Sequence, residues 1–482
     1  MSTVTHRPRP QDGVRDTAMP PGPRGTEVAR LLLRLRRDPL RPLENLVDTY
    51  GDIVRFDITG RAFFVARGPE YAEQLLVSHA SNYRKSIQYR LLAMALGEGL
   101  LTNEGESWKR QRRLVQPMFA KRHLSRFADH MTAAATDTLQ QWDSWPDGHR
   151  LDVSTAMNTL TLDVVGRALF GVDLTDDAPR IGSALTEILR VAVAAAVSPL
   201  TLLPARLPGI SVDRALRLQR PRWRRMDTAV GQLDNVVHRL IDERTVTTRA
   251  GENSQPDEAG DLLGLLLATR DENGEPMSRR QIRDEVQTFL LAGHETTANA
   301  LAWTWYLLSK NPQVRERLTA EVDTVLGDRT PTADDADNLP YTTAVVQEAM
   351  RLYPPAWVIE RDSITDEEIG GYPVPRDSTV IVAPYLSHRD PKVWDNPEGF
   401  DPRRFLSDQA TGRPRGAYLP FGGGRRICVG AGFAQMEATL LLAMIAQRFT
   451  LDLVPGARVT PEATVTLRPR NGLPMILRRR TS

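Results

Sequence analysis

Cysteine is almost absent from this chain: 482 residues contain one, Cys428. A single thiol excludes an internal disulfide, and no further cysteine or histidine accompanies it at the spacing that a zinc or iron–sulfur site needs. Long apolar runs are also missing, because no stretch approaches the roughly 20 residues that span a bilayer. The longest uncharged stretch, residues 191–205, is broken by Pro199 and Pro204. We interpret it as a buried helix end followed by a loop.

Charge of one sign is missing too. The formal net charge is +2, and 41% of residues are hydrophobic, which is typical of a globular protein and gives no indication of nucleic-acid binding. The N-terminus lacks the apolar core of a signal peptide, so we expect a cytoplasmic protein without a transmembrane segment. Five prolines lie in residues 1–25, which we predict to be a disordered, Pro-rich tail.

The single cysteine lies in a glycine-rich run, residues 421–430, that contains four glycines. Glycines allow tight turns and a close approach to a flat ligand. Apolar residues recur at helical spacing from Phe433, so a helix is expected to begin near Gly432. The positive end of that helix and the nearby Arg426 would favour the ionised form of the thiol. The alternative is an inert buried cysteine, which is the usual state of a lone one.

A second unusual segment is residues 281–310, which reads as one helix of about 45 Å. Its middle carries Ala292-Gly-His-Glu-Thr-Thr297, where polar residues interrupt an apolar surface. A threonine can return its hydroxyl to the helix backbone, so a satisfied polar spot is the simple interpretation. Elsewhere, residues 52–66 read as a hairpin that turns at Thr59-Gly60, and residues 247–258 as a surface loop.

Two further pairs have helical spacing. Glu348 and Arg351 lie three residues apart, and Trp108 and Arg112 lie four apart, so each pair shares a helix face. An exposed ion pair at such spacing contributes little, and the second pair could belong to a solvated basic face.

Together these segments resemble the cytochromes P450. The family's haem-binding loop has five fixed residues, and this chain meets all of them, with Phe421, Gly424, Arg426, Cys428 and Gly430. The resemblance extends over residues 39–479. It implies a mainly α fold with a small β-sheet region, in which residues 26–482 form a single haem domain.

The resemblance also implies the cofactor and its contacts. Haem b would be held by the axial thiolate of Cys428, and its propionates would be contacted by four residues: Trp108, Arg112, Arg361 and Arg426. Glu348, Arg351 and Arg404 would form a buried charge network that is structural rather than catalytic.

The polar string in the long helix resembles the family's oxygen-activating sequence. There Ala292 and the glycine after it would make room over the haem. Thr296 would order the hydrogen bonds that protonate bound dioxygen, and Glu295 would relay protons. The resemblance leaves His294 without a role.

The activity implied is that of a haem-thiolate monooxygenase of the soluble bacterial type, which hydroxylates or epoxidises an apolar molecule with one oxygen atom of O2. Electrons from NAD(P)H would arrive through a ferredoxin- or flavodoxin-type partner and its reductase, and we expect a monomer. A basic docking surface would comprise Lys109, Arg110, Arg113, Arg413, Arg415 and Arg425, although a solvated charge distribution explains these residues as well.

The substrate is expected to be a natural product of secondary metabolism, such as a terpenoid, polyketide, fatty acyl or aromatic compound. By resemblance, the pocket is lined by residues 86–96, 188–197, 288–292, 356–359 and 463–465, which are mostly apolar. Two alternatives remain. A peroxygenase, or a non-oxygenating isomerase or dehydratase, would act without an electron donor, and a non-catalytic haem- or ligand-binding protein would consume no NAD(P)H.

Overall fold

The computed structural model describes residues 19–196, 220–250, 261–270, 274–407 and 411–480. They form one mainly helical domain with small sheets, as predicted. The helices are α1 (Thr26–Leu35), α2 (Leu40–Tyr50), α3 (Pro69–Glu73), α4 (Ile87–Leu96), α5 (Gly105–Val115), α6 (Lys121–Asp143), α7 (Val153–Val165), α8 (Ala178–Ala196), α9 (Arg220–Ala250), α10 (Leu262–Ala268), α11 (Arg279–Lys310), α12 (Pro312–Leu326), α13 (Asp335–Asn338), α14 (Pro340–Leu352), α15 (Pro384–Ser387) and α16 (Ala431–Arg448).

The strands are β1 (Ile53–Ile58), β2 (Arg61–Ala66), β3 (Tyr83–Lys85), β4 (Arg150–Asp152), β5 (Ile359–Ser363), β6 (Glu367–Ile369), β7 (Tyr372–Val374), β8 (Thr379–Val382), β9 (Phe449–Leu453), β10 (Pro461–Ala463), β11 (Leu467–Pro469) and β12 (Pro474–Arg479). The largest sheet has the order β1-β2-β8-β5-β3. The predicted hairpin is confirmed as β1 and β2, with Thr59 and Gly60 at φ 49° and 84°. Positive φ at both turn positions matches the twist of a two-residue hairpin.

The predicted long helix is confirmed as α11. It begins at a capping box in which Ser278 and Gln281 satisfy each other's backbone N–H groups. The helix packs most extensively on α7. A Cβ at Gly293 would lie 2.9 Å from Val165 Cγ2, so this glycine allows α7 to approach. Its expected role of making room over the haem stays a prediction.

Three predictions about irregular segments meet the structure only in part. Residues 1–18 of the predicted tail lie outside the described residues, but Pro21 accepts a hydrogen bond from Arg55 N at 3.0 Å, so the folded part begins before residue 26. The predicted loop at 247–258 is wrong for its first four residues, because α9 continues to Ala250. Of residues 191–205, those up to 196 belong to α8, and the others lie outside the described residues.

No helix within the described ranges is both long and apolar enough to cross a membrane.

The predicted charge network is confirmed in the core. Arg351 and Glu348 are fully buried and form a two-point ion pair, with Nε–Oε2 at 2.7 Å and Nη2–Oε1 at 2.8 Å. Arg404 Nε lies 3.4 Å from the same carboxylate. Arg351 also donates to the carbonyls of residues 388, 397 and 399. A buried pair with all its hydrogen bonds made is costly to break, since a broken one leaves an uncompensated charge.

We therefore expect Arg351→Lys to lower the free energy of unfolding by about 3 kcal/mol or more, because lysine keeps the charge but not the planar set of donors. Urea unfolding followed by tryptophan fluorescence measures the loss. The matched control is Arg376→Lys, whose ion pair with Asp377 is exposed and whose change should stay within about 0.5 kcal/mol. Equal stabilities for the two variants would contradict the structural role of the network.

Candidate functional site

The cysteine loop leads into α16, which begins at Ala431 as predicted. The loop folds back on itself, because Cys428 N donates to the Phe421 carbonyl at 3.0 Å. Gly424 has φ 63°, and a Cβ there would lie 1.8 Å from the Leu76 carbonyl oxygen, so only glycine fits this turn. Gly430 is less constrained, since a Cβ there would meet Phe119 at an ordinary 3.6 Å.

The protein surroundings of Cys428 do not by themselves ionise its thiol. The side chain keeps accessible surface, yet enough protein surrounds it that loss of hydration raises its pKa. The Gly430 N–H and the Arg112 charge act in the opposite direction, but they are outweighed. The helix end and a nearby positive charge thus favour the thiolate, as expected, although the charge that acts is that of Arg112 and burial outweighs both effects. A coordinated metal would remove the proton, as it does from bound thiols generally.

Three of the predicted contact residues meet beside this loop. The Arg426 guanidinium lies over the Trp108 ring, 3.9 Å from its centroid, and forms an ion pair with Glu104 at 3.0 Å. Arg112 Nη1 donates to the Ile427 carbonyl at 2.8 Å. The shared face of α5 predicted from the spacing of Trp108 and Arg112 thus packs against the cysteine loop.

Arg361 belongs to the same neighbourhood through β5, whose pairing with β3 sets it opposite Lys85. The pKa of Lys85 is lowered well below its ordinary value, mainly by burial and further by the charges of Arg426 and Arg361, while Glu104 opposes this shift. Burial is also the main cause that lowers the pKa of Arg426 to about 10. Mutual repulsion among these cations is relieved by an anionic ligand, and the two carboxylates of a haem fit this donor set.

Lys85 was missed by the sequence reasoning. It lies in a three-residue strand, and no motif marks it; only the pairing of β3 with β5 brings it to Arg361.

On α11, Ala292 and Thr296 are half-buried in a stretch where most neighbours are buried. They are one turn apart and so share a face. The Thr296 hydroxyl donates to the Ala292 carbonyl at 2.8 Å, as expected for threonine in a helix. Both residues therefore keep accessible surface in the middle of a core helix, which is the arrangement that a ligand site needs.

Glu295 is buried, and its carboxyl group turns to the β10–β11 connection. The Thr466 hydroxyl donates to Glu295 Oε1 at 2.7 Å. Burial is the largest influence and raises the pKa of Glu295, whereas Thr466 and then Arg468 lower it. Sequence reasoning missed Thr466, because no spacing rule connects residues 171 positions apart.

The structure gives His294 a packing role. Its Nδ1 bonds to the Leu290 carbonyl within the helix, and burial lowers the pKa of the ring to about 4. It is therefore neutral at physiological pH.

Glu437 on α16 is a second buried acid that the motifs did not mark. It is fully buried, and burial raises its pKa well above the ordinary value, opposed by the nearby Thr297 hydroxyl.

The structure gives the surroundings of three residues expected at the pocket or the docking surface. Phe289 stacks on Phe119 with ring centroids 5.9 Å apart, within the core. Met94 is exposed at a surface cleft of about 510 Å³ between α4 and the start of α11. Arg413 packs on the rings of Trp394 and Phe405, and its part in a docking surface stays a prediction.

Comparison with known proteins agrees with this geometry. The family model described as Cytochrome P450 matches residues 20–474. Putative cytochrome P450 132 of Mycobacterium tuberculosis is 39% identical over 435 residues, which cover 89% of this chain and 90% of that protein. Cyclooctatin synthase of Streptomyces melanosporofaciens is 38% identical over 448 residues, 92% of each chain. Cyclooctat-9-en-7-ol 5-monooxygenase of the same species is 36% identical over 425 residues, 88% of this chain and 87% of that protein. Because the match extends over nearly its whole length, this chain belongs to the cytochrome P450 family.

Proposed function

We propose that this protein is a monooxygenase in which Cys428 holds haem b and one oxygen atom of O2 enters an apolar natural product, as hydroxylation or epoxidation. The observation that carries the proposal is the meeting of the cysteine loop with the cation cluster around Arg426. When bound, the haem would activate dioxygen with electrons that originate from NAD(P)H. The chain itself supplies the thiolate ligand, the anchoring cations and the control of protons.

Anchoring is the task of Trp108, Arg112, Arg361 and Arg426, together with Lys85. The planar guanidinium groups of the three arginines suit carboxylate recognition. These arginines and Lys85 are half-buried, which strengthens each charge contact relative to one in water. An anionic ligand that neutralises the positive charges of this cluster would therefore be retained.

Proton control falls to Thr296 and Glu295. The Thr296 hydroxyl is on the accessible face of α11 and can both donate and accept a hydrogen bond. Glu295 is the adjacent acid, and burial raises its pKa above the ordinary value, which is the direction that suits an acid that exchanges protons.

The substrate class is proposed from the relatives. Two of them are named for the formation of cyclooctatin and the 5-monooxygenation of cyclooctat-9-en-7-ol. We propose a cyclic terpenoid of comparable apolar character for this chain. The segments predicted to line the pocket are mostly apolar, which suits such a molecule.

A docking surface for the electron donor is proposed on the cysteine-loop side. Arg425 is exposed, and Ile427 and Val77 keep 43% and 53% of their surface accessible. Arg110 and Arg113 are exposed on α5, whose Arg112 bonds to the same loop. Cations around an apolar centre fit an acidic ferredoxin or flavodoxin, which the positive field would steer to the loop. The monomeric state and the cytoplasmic location stay predictions.

Cys428→Ala tests the axial ligand. We expect the reduced carbon monoxide complex to lose the red-shifted absorption band of thiolate ligation, because no second cysteine exists to replace the ligand. Circular dichroism checks that the variant keeps its helices. A variant that is folded and still shows the thiolate band would contradict the assignment.

Thr296→Ala tests proton control. We expect product formed per NAD(P)H consumed to fall at least about tenfold, with the difference released as peroxide, because the hydroxyl that orders the hydrogen bonds is lost. The control is Thr304→Ala: Thr304 makes the same bond to the carbonyl four residues earlier, Ala300, at 2.7 Å, but two turns away. Full coupling in the Thr296 variant would favour a peroxygenase or a non-oxygenating enzyme instead.

Arg425→Glu tests the docking surface. With an acidic ferredoxin as donor, we expect the rate of first-electron transfer to fall about tenfold at low ionic strength and the difference to shrink at high salt. Stopped-flow spectroscopy of haem reduction measures this rate. Arg34→Glu is the control, on α1, which packs against α2 and β1 rather than the cysteine loop. Equal effects of the two substitutions would show that only net charge matters.

A further inference from the structure

The acid of the oxygen-activating sequence is joined to a distant hairpin by one short hydrogen bond. Thr466 lies between β10 and β11, and its hydroxyl donates to Glu295 Oε1 at 2.7 Å. Both side chains are buried, with 6% and 8% of their surface accessible. A bond between buried groups is expensive to leave unmade, so the contact fixes where the carboxyl group lies.

The direction of this bond is set by a third residue. Asn299, one turn beyond Glu295, donates from Nδ2 to Thr466 Oγ1 at 3.2 Å. The hydroxyl oxygen thus accepts from Asn299, and its own hydrogen is left for Glu295. The hairpin is fastened to the same helix a turn further on, where Trp303 Nε1 donates to the Leu467 carbonyl at 3.0 Å.

We propose that Thr466 is a positioning residue for Glu295: its hydroxyl holds the carboxyl group against the β10–β11 hairpin and thereby governs when that group takes up and releases protons. This inference rests on the proposed function of Glu295 as a proton relay. A donated hydrogen bond favours the ionised carboxylate, so its loss would leave the acid protonated to higher pH.

The electrostatic surroundings agree with this direction. Arg468, on β11, is the charged group that acts on Glu295, and it lowers the pKa, although its guanidinium is shared with Glu462 at 3.0 Å. On α16, burial raises the pKa of Glu437 well above its ordinary value. On α11 itself, His294 is neutral. Of the two influences that oppose the effect of burial on the pKa of Glu295, the Thr466 hydrogen bond is therefore larger than the Arg468 charge.

The hairpin also connects Glu295 to the predicted substrate pocket. Residues 463–465, at its tip, are among those expected to line the pocket. Trp357 Nε1 donates to the Thr464 carbonyl at 2.8 Å, and Thr464 Oγ1 donates to the Thr466 carbonyl at 2.9 Å. These bonds fix the conformation of the hairpin segment that carries Thr466.

The test is a pH titration of the Glu295 carboxyl group by infrared spectroscopy of the holoenzyme. The band of the protonated group is identified by its loss in Glu295→Gln. In Thr466→Val, which removes the hydroxyl at nearly constant volume, we expect its midpoint to rise by about one pH unit. Thr466→Ser should restore the midpoint, and Thr304→Val, which removes a buried hydroxyl elsewhere on α11, should leave it unchanged. An unchanged midpoint in Thr466→Val overturns the proposal; Thr466→Ala replaces that variant if it does not fold.

A second readout addresses catalysis. With a terpenoid substrate and a ferredoxin pair, we expect Thr466→Val to raise the share of electrons recovered as peroxide several-fold and Thr466→Ser to lower it again. A shifted midpoint with normal coupling would overturn the positioning role. Because the infrared titration requires no turnover, a shifted midpoint in a protein without a thiolate band supports the Thr466–Glu295 link, while the proposed function fails.

Discussion

The buried ion pair of Arg351 and Glu348 is the interaction on which the site depends. Arg351 uses its remaining donors on the carbonyls of residues 388, 397 and 399. His388 in turn accepts from Leu419 N at 2.7 Å through Nε2, so its Nδ1 carries the proton and faces the Arg351 carbonyl. Leu419 precedes the cysteine loop by two residues. One unbroken set of hydrogen bonds thus leads from α14 to the loop that presents Cys428.

This framework explains how irregular backbone can be held precisely. The loop has little regular structure of its own, and its residues satisfy their polar groups through neighbours. The close approach of Gly424 to Leu76 and the stacking of Arg426 on Trp108 fix its other side. The cations around the site repel one another. This repulsion lowers the stability of the protein without a ligand and favours the binding of an anionic ligand.

Two buried acids, Glu295 on α11 and Glu437 on α16, differ in the groups that surround their carboxyl groups. Burial raises the pKa of both. A hydroxyl donor and an arginine oppose this effect at Glu295, whereas only the Thr297 hydroxyl opposes it at Glu437. The distinction comes from the hairpin, because it brings Thr466 and Arg468 to one acid and not to the other.

The sequence by itself determined the family, the long helix, the hairpin of β1 and β2, and the residues of the charge network. Each is a local pattern: fixed spacing in the cysteine loop, helical period in α11, a turn at Thr59 and Gly60. What only the tertiary structure decided are contacts between distant segments, namely Lys85 beside Arg361, Thr466 on Glu295, Gly293 against Val165, and the raised pKa of Cys428. Burial and partner choice set these properties, and both depend on how elements pack rather than on spacing along the chain.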